Sequence, residues 1–417
     1  MASLVESVVD NVLSKLVPEL TGTDGRASER QRTKDSEESS ITSLADLEVR
    51  VDGRGKLDWD SESHLPADMP NVVLISRHQD ARYPPRIVVL TGCTGLLGRH
   101  LLTHLLLEPG VEKVTCLAVR SLALRRKQGR VPQDPRVVFY EGDLTQSFLG
   151  LSEEEVALVF NEADAVIHNG SDTSHLKHHV DLRTANVKST ALLASLASGC
   201  GVLCITCPQL AWKSFTRRAE PKAFLLAQSS LDSIGSQMVR SDIYVGSECE
   251  RLLERTNQMY GLRVCIHRPS AIIREGVDAI GEEAEKDWVN ALLTFVNKLK
   301  AAPKVERNQG VLDLVHVRNV CQSIMGHVFS SSPWEEKGAI RFVHEVGDLL
   351  VLLKRLSLIG LEESHGTPFH ELTIEECVAK AVLAGLHPGV WALITEMAEG
   401  GREYPRLLKG DGTSMKV

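Results

Sequence analysis

No run of apolar residues in this chain reaches the roughly 18 needed to span a bilayer, and no charged-then-apolar leader opens it. A cytoplasmic protein is therefore expected. A basic surplus is lacking too: the formal charge of -8 leaves nothing to attract a polyanion, which excludes nucleic acid as a partner. The nine cysteines are an odd number in a long chain and follow no disulfide framework. Most stand in apolar runs such as Val114-Thr115-Cys116-Leu117 and Val264-Cys265-Ile266, and so read as buried thiols in a reducing compartment. Cys200, Cys204 and Cys207 lie close together, but no second cluster follows, and a strand would aim them in differing directions. Core packing is their reading, and no metal is expected. Internal repeats are missing as well.

What is present suits an ordinary globular protein. With 417 residues, 43% hydrophobic and 24% charged, the chain can bury one large domain and a smaller one. Residues 1–20 carry apolar pairs every four positions (Leu4 and Val5, Val8 and Val9, Val12 and Leu13, Leu16 and Val17), which predicts an amphipathic helix. That helix either docks on a carrier or partner, or packs on its own domain. Residues 21–56 begin with a polar, charged stretch too poor in apolar side chains to offset the entropy of ordering, and read as a flexible linker.

After Pro84 and Pro85 the pattern changes. A β-branched strand at 86–91 meets a glycine turn and then an apolar helix; further strands are predicted at 113–119, 136–140, 165–168, 202–206 and 262–267. Strands alternating with helices make an α/β fold, a Rossmann doubly wound parallel sheet, over residues 57–275. Beyond, in 276–417, the rhythm loosens into helices at 288–299 and 374–384 around a strand at 310–317. This part is expected to be mainly a smaller C-terminal substrate-binding cap over the carboxyl edge of the sheet, where open α/β sheets bind ligands.

The chemistry starts at Thr91-Gly92-Cys93-Thr94-Gly95-Leu96-Leu97-Gly98. Between a strand and a helix, Gly92 makes the tight turn, Gly95 admits a pyrophosphate to the helix amino terminus, and Gly98 lets helix pack on sheet. The second strand ends at Arg120, with Arg125, Arg126 and Lys127 after it, in place of the acid that usually grips a free ribose. A guanidinium there suits a 2'-phosphate and hence NADPH, the alternative being a solvated basic loop. Asp143 closes the third strand, where a carboxylate can meet adenine.

Taken in order, Thr91 to Gly98, Gly142-Asp143-Leu144-Thr145, Ala165 to Gly170, Leu182-Arg183-Thr184-Ala185-Asn186-Val187, Tyr244-Val245-Gly246-Ser247, Ile266 to Ser270 and Leu312 to Val315 form a recognisable set. From about Leu57 to Leu408 the chain resembles the thioester-reductase release domains of fungal polyketide and nonribosomal peptide synthetases. These belong to the male-sterility type of NAD(P)-binding domain within the extended short-chain dehydrogenase/reductase superfamily. The resemblance implies an NADPH-dependent oxidoreductase that acts on a carrier-protein-bound acyl or aminoacyl thioester in secondary-metabolite biosynthesis. It also implies cofactor contacts from Gly92, Thr94, Gly95, Leu96, Leu97, Gly98, Arg120, Asp143, Leu144, Asn169, Asn186 and Tyr244. No Asp-Ser-Leu carrier signature occurs, so the expectation is a domain serving a synthetase in trans.

The superfamily's reducing centre joins a hydroxyl, a tyrosine and a lysine. Tyr244 matches the tyrosine, but the lysine four residues later is Glu248, or is lost in a two-residue deletion if Glu250-Arg251-Leu252-Leu253 is aligned instead. The hydroxyl position falls on Cys207, with Thr206 one residue earlier. A carboxylate beside a phenol disfavours phenolate, so Glu248 is expected to raise the Tyr244 pKa above its ordinary value of about 10. Three readings stay open. The first is a working thioester reductase helped by Thr206 and Lys177. The second is a redox-silent release domain of the Dieckmann-cyclising kind that forms a tetramic acid, with Asp172, His175 or Glu248 as base or as ordinary loop residues. The third is a non-catalytic partner of a synthetase.

Overall fold

Ile87–Thr91 is an unbroken apolar and β-branched run, as a strand buried on both faces must be, and it forms the interior strand β1. The computed structural model describes residues 82–173, 179–206, 241–274, 288–305, 309–329, 340–347, 349–352, 356–357, 368–385 and 403–404. The amino-terminal helix and linker expected from the sequence lie outside these residues, as do His175, Lys177 and Cys207.

From β1 the chain enters helix α1 (Leu96–Leu107), strand β2 (Lys113–Val119) and helix α2 (Leu122–Lys127). Strand β3 (Val137–Glu141), helix α3 (Glu153–Glu162) and strand β4 (Ala165–His168) follow. Next come α4 (His179–Arg183), a π-helical turn at Thr184–Lys188, α5 (Ser189–Leu196), β5 (Val202–Thr206), α6 (Ser241–Tyr260) and β6 (Val264–Pro269). The remaining elements are β7 (Ala271–Ile273), α7 (Trp288–Leu299), β8 (Ala301–Pro303), β9 (Gln309–His316), α8 (Val317–Phe329), β10 (Ile340–Glu345), β11 (Leu349–Leu352), β12 (His370–Leu372), α9 (Ile374–Leu383) and β13 (Glu403–Tyr404).

Seven strands pair in the order β3-β2-β1-β4-β5-β6-β10, all parallel. Because alternate residues of a strand face opposite sides, Val88 and Leu90 enter one core with Leu101 and Leu105 of α1 and Val320 and Ile324 of α8. Val89 enters the other, with Phe160 of α3, Leu193 of α5 and Leu252 of α6. The result is a doubly wound sandwich of helix, sheet and helix. Strand order reverses between β1 and β4, which opens a crevice at their carboxyl ends.

A third core joins Val289, Leu292 and Phe295 of α7 to Leu312 and Leu314 of β9 and Ala381 of α9. It belongs to a small sheet in which β9 pairs with β7, β11 and β13. The division expected at residue 275 does not follow the large sheet. Both α8 and β10 come from beyond it, α8 covering one face and β10 pairing with β6 from Val264↔Ile340 to Pro269↔Glu345. Strands β7 and β9 of the small sheet lie between β6 and β10 in the chain, whereas β11 and β13 follow β10. No helix among the described residues is long and apolar enough to cross a membrane.

Candidate cofactor and active site

The turn after β1 is built by two glycines that nothing else can replace. Gly92 has a φ of +69°, and a Cβ there would stand 2.7 Å from the backbone of Asn169 and Gly170 at the end of β4. A Cβ on Gly98 would stand 1.9 Å from the Gly92 carbonyl oxygen, so α1 reaches the turn only without one. Gly95 differs: it is exposed, its N–H donates to the Gly92 carbonyl at 3.0 Å, and its missing Cβ would make ordinary contact with that oxygen at 3.5 Å. The protein itself does not require a glycine there; a group bound against the turn would.

Gly95 is also the N-cap of α1. It offers no side chain to cap the first turn, and no acidic residue stands in that turn. The helix thus begins with backbone donors and a partial positive charge facing the crevice, the arrangement that holds a diphosphate. Leu97 sends its side chain into the core, so only its backbone can face a ligand, and Leu96 is half-buried. Thr94 is half-buried between Cys93 and Gly95.

At the end of β2, three-quarters-exposed Arg120 lies 3.5 Å from Asp143, linking the two residues expected at the adenosine end. Asp143 Oδ1 accepts from the backbone and hydroxyl of Thr145 at 2.9 and 2.8 Å, which fixes the loop after β3. Leu144 approaches Gly170 on the floor of the crevice. Arg125 of α2 donates to the Arg120 carbonyl at 2.9 Å. The Cys93 thiol is held below its ordinary pKa, first by its hydrogen bond with Cys116 and to a smaller extent by the charge of Arg125. Arg125 thus lies near enough to the turn for its charge to act on Cys93, while Arg120 stands at the end of β2 against Asp143.

A buried chain of hydrogen bonds ties the turn to β4 and the helices behind. Gly170 donates to Thr91 Oγ1 at 3.0 Å, Thr91 Oγ1 meets His168 Nδ1 at 2.7 Å, and His168 Nε2 meets Thr190 Oγ1 at 3.2 Å. Since the Thr190 hydroxyl donates to the Asn186 carbonyl at 2.7 Å, it accepts from His168, whose proton therefore sits on Nε2. Burial pushes the His168 pKa down to about 4, so the ring is neutral. The Asn186 side chain accepts from the Asp172 N–H at 2.7 Å and donates to its carbonyl at 2.9 Å, so it clamps the loop after β4. Thr206 donates to Asn169 Oδ1 at 3.0 Å, and Asn169 Nδ2 reaches the Gly92 carbonyl at 3.4 Å. Gly92, Asn169 and Thr206 thus come together, joined through Thr91 to Asn186.

Tyr244 lies near the start of α6, which begins at Ser241. Glu248, one turn on, is completely buried and receives the Arg183 Nε at 3.0 Å, with Arg183 itself 5% exposed. This carboxylate, expected from the sequence as a conceivable base or an ordinary loop residue, stands in a helix as one half of a buried ion pair between α4 and α6. The neighbouring Glu250 makes a second buried pair, bidentate, with Arg268 of β6 at 2.7 and 2.5 Å. Arg183 and Arg268 both fell within motifs read from the sequence, but partners 65 and 18 positions away had no sequence signal.

Comparison with known proteins agrees with this geometry. Residues 90–207 match the family model described as male sterility protein, an NAD-binding domain. The chain is 34% identical over 437 aligned residues to a highly reducing polyketide synthase of Neocamarosporium betae, and 31% identical over 391 to a polyketide synthase–nonribosomal peptide synthetase of Pyricularia oryzae. These alignments take in 99% and 89% of this chain but only 15% and 9% of the relatives, so the chain spans a small part of their length. Among solved structures, the terminal R domain of the myxalamid synthetase pathway superposes with a TM-score of 0.64 at 22% identity, covering 85% of this chain and 88% of that one. The R domain of a Mycobacterium tuberculosis peptide synthetase gives 0.56 at 18%, covering 84% and 88%. A glycine cradle at the switch point, a helix terminus open toward the crevice and this set of relatives agree: residues 90–207 carry the male-sterility type of NAD-binding domain, and the chain has the fold of the R domains it is similar to.

Proposed function

We propose that this chain binds NADPH at the β1–α1 turn and reductively releases an acyl or aminoacyl chain held as a thioester on a synthetase carrier domain. The observation that carries the reading is Gly95, left without a side chain where the protein leaves room for one, at an uncapped helix start. The guanidinium groups of Arg120 and Arg125 favour a 2'-phosphate over a bare ribose. Bound there, the cofactor would supply a hydride equivalent for reducing the thioester carbonyl. The chain's own part is to orient the ring and protonate the oxygen. Asn186 fixes the Asp172 backbone after β4, and Thr206, held by Asn169, sets a hydroxyl at the sheet's carboxyl edge. Tyr244 is the proton donor by resemblance. Residues beyond about 275, except α8 and β10, form the substrate cap.

A second reading, ring closure without hydride, draws support from one fact: the position that should carry a lysine holds Glu248, already engaged by Arg183. One experiment separates the two. A pantetheine thioester of a β-ketoacyl-aminoacyl chain is incubated with and without NADPH while nicotinamide absorbance and product are followed. NADPH-dependent aldehyde or alcohol supports reduction, and a tetramic acid formed without NADPH supports cyclisation. Gly95→Asp places an anion against the diphosphate and abolishes NADPH binding; unaltered affinity refutes the cofactor site.

A further inference from the structure

On the sheet face covered by α8, strand alternation and parallel register gather side chains from three strands. Cys204 of β5 stands opposite Cys265 of β6. His267 follows two residues on, facing the same side, and Glu345 of β10 reaches its ring. Cys204, Cys265 and His267 each offer one donor atom, and these atoms all lie within 4.8 Å of one another. Cys265 Sγ is 3.3 Å from His267 Nε2, and His267 Nδ1 is 2.5 Å from Glu345 Oε1. Helix α8 closes the cluster from above, with Ser323 donating to Glu345 Oε1 at 3.0 Å and the His327 ring edge-on to His267 at 5.1 Å.

Nothing in the proposed reduction uses these groups. We propose that Cys204, Cys265 and His267, with Glu345 holding the imidazole, form a buried site for a thiophilic divalent cation of the zinc class.

Three arguments support it. Two sulfurs and one imidazole nitrogen are the donors such an ion prefers, and tetrahedral zinc would separate sulfur from nitrogen by about 3.5 Å, close to the distance found. A proton on Nδ1, held by the carboxylate, leaves Nε2 with its lone pair toward the sulfurs, the carboxylate–histidine–metal arrangement. Lastly, the second Glu345 oxygen is buried with no hydrogen-bond partner among the described residues. That carboxylate, in contact with the imidazole that would bind the ion, has an oxygen left over to balance a cation held by Cys204, Cys265 and His267. Cys93 and Cys116 provide the contrast: also buried and hydrogen-bonded to each other, they belong to no such three-donor group among the described residues.

The full chain, purified anaerobically under reducing conditions, stripped with chelator and titrated with cobalt(II), tests the site. One equivalent is expected, with thiolate-to-cobalt charge transfer in the near ultraviolet and strong tetrahedral bands in the visible. Zinc should displace it stoichiometrically. Cys265→Ser should remove the charge-transfer intensity of one thiolate, and Glu345→Gln should weaken zinc binding by about 10- to 100-fold. Cys116→Ser should retain the full equivalent. The proposal is overturned by cobalt uptake well below one equivalent in the wild-type chain, by a spectrum without thiolate bands, by a Cys204–Cys265 disulfide in the freshly purified protein, or by binding unchanged in Cys265→Ser. None of these readouts depends on NADPH or thioester, so loss of the reductase reading would leave them intact.

Discussion

Single residues around the β1–α1 turn separate what folding needs from what binding needs. Gly92 has a left-handed backbone and no room for a Cβ, so Gly92→Ala should cost at least about 2 kcal/mol of stability, read from the urea midpoint. Gly95 has neither constraint. Gly95→Ala should stay within about 0.5 kcal/mol of wild type yet weaken NADPH binding by about tenfold or more, measured by nicotinamide fluorescence. If both variants behave alike, the distinct binding role given to Gly95 is wrong. The Arg183–Glu248 pair sets a second case. Breaking a buried pair by removing one partner leaves the other charge in the core, so Glu248→Gln should destabilise by about 3–5 kcal/mol. The apolar double variant Arg183→Met with Glu248→Leu should lose much less, since neither charge is then stranded. Denaturation of Arg183→Met, Glu248→Leu and the double, as a mutant cycle, measures the coupling. Glu248→Lys should not restore a working lysine, because it turns a new cation toward Arg183.

Elements differ in how far their residues announce them. Strands β1, β2 and β4 are legible because a strand covered on both faces must be apolar throughout, and short apolar runs between turn residues have few other uses. Helix α3 was missed although its start is written out: Ser152 accepts from the Glu155 N–H while Glu155 accepts from the Ser152 N–H, a complete capping box. Strand β10 and helix α8 lie beyond residue 275 yet join the large sheet and its cover, and no local pattern announces this because their partners, β6 and α1, lie more than 70 residues earlier. Asp164 shows how such distant elements are pinned. Its carboxylate accepts backbone N–H groups of Arg82, Arg86 and Ile87 at 3.0, 3.0 and 2.9 Å, joining the start of β1 to that of β4. Burial pushes this carboxyl's pKa up, but those bonds and the Arg82 charge outweigh it and hold it below the usual value. The stability it contributes is therefore present at neutral pH and lost only as pH falls through that lowered pKa. Asp164→Asn should cost about 1–3 kcal/mol at pH 7 in urea denaturation, and the difference from wild type should shrink in acid.

For the whole molecule, a sequence read along one dimension reaches the cofactor half better than the chemistry. The glycine turn and its helix are contiguous, so their function is visible in eight residues. The groups that decide chemistry converge from strands and helices far apart in the chain: Thr206 on Asn169, Arg183 on Glu248, and Cys204 and Cys265 on His267. Cys200, Cys204 and Cys207 looked like neighbours, yet the register of β5 against β6 gives Cys204 a different partner. The same convergence couples global stability to proton binding. His168 links Thr91 of β1 to Thr190 of α5 and is neutral in the folded state, its pKa lowered from 6.5 to about 4 by burial. The unfolded chain binds a proton on this ring as pH falls below about 6.5, while the folded chain does so only near 4, so folding weakens across that window. Between pH 7.5 and 5.5 this single group should remove about 1 kcal/mol of stability, and below pH 4 its effect should level off. Urea denaturation of wild type and His168→Gln over that range isolates it. The variant should begin less stable, having lost a bond between sheet and helix, but its stability should fall less steeply with acid. Parallel slopes would show that His168 is not the group through which the interior senses pH.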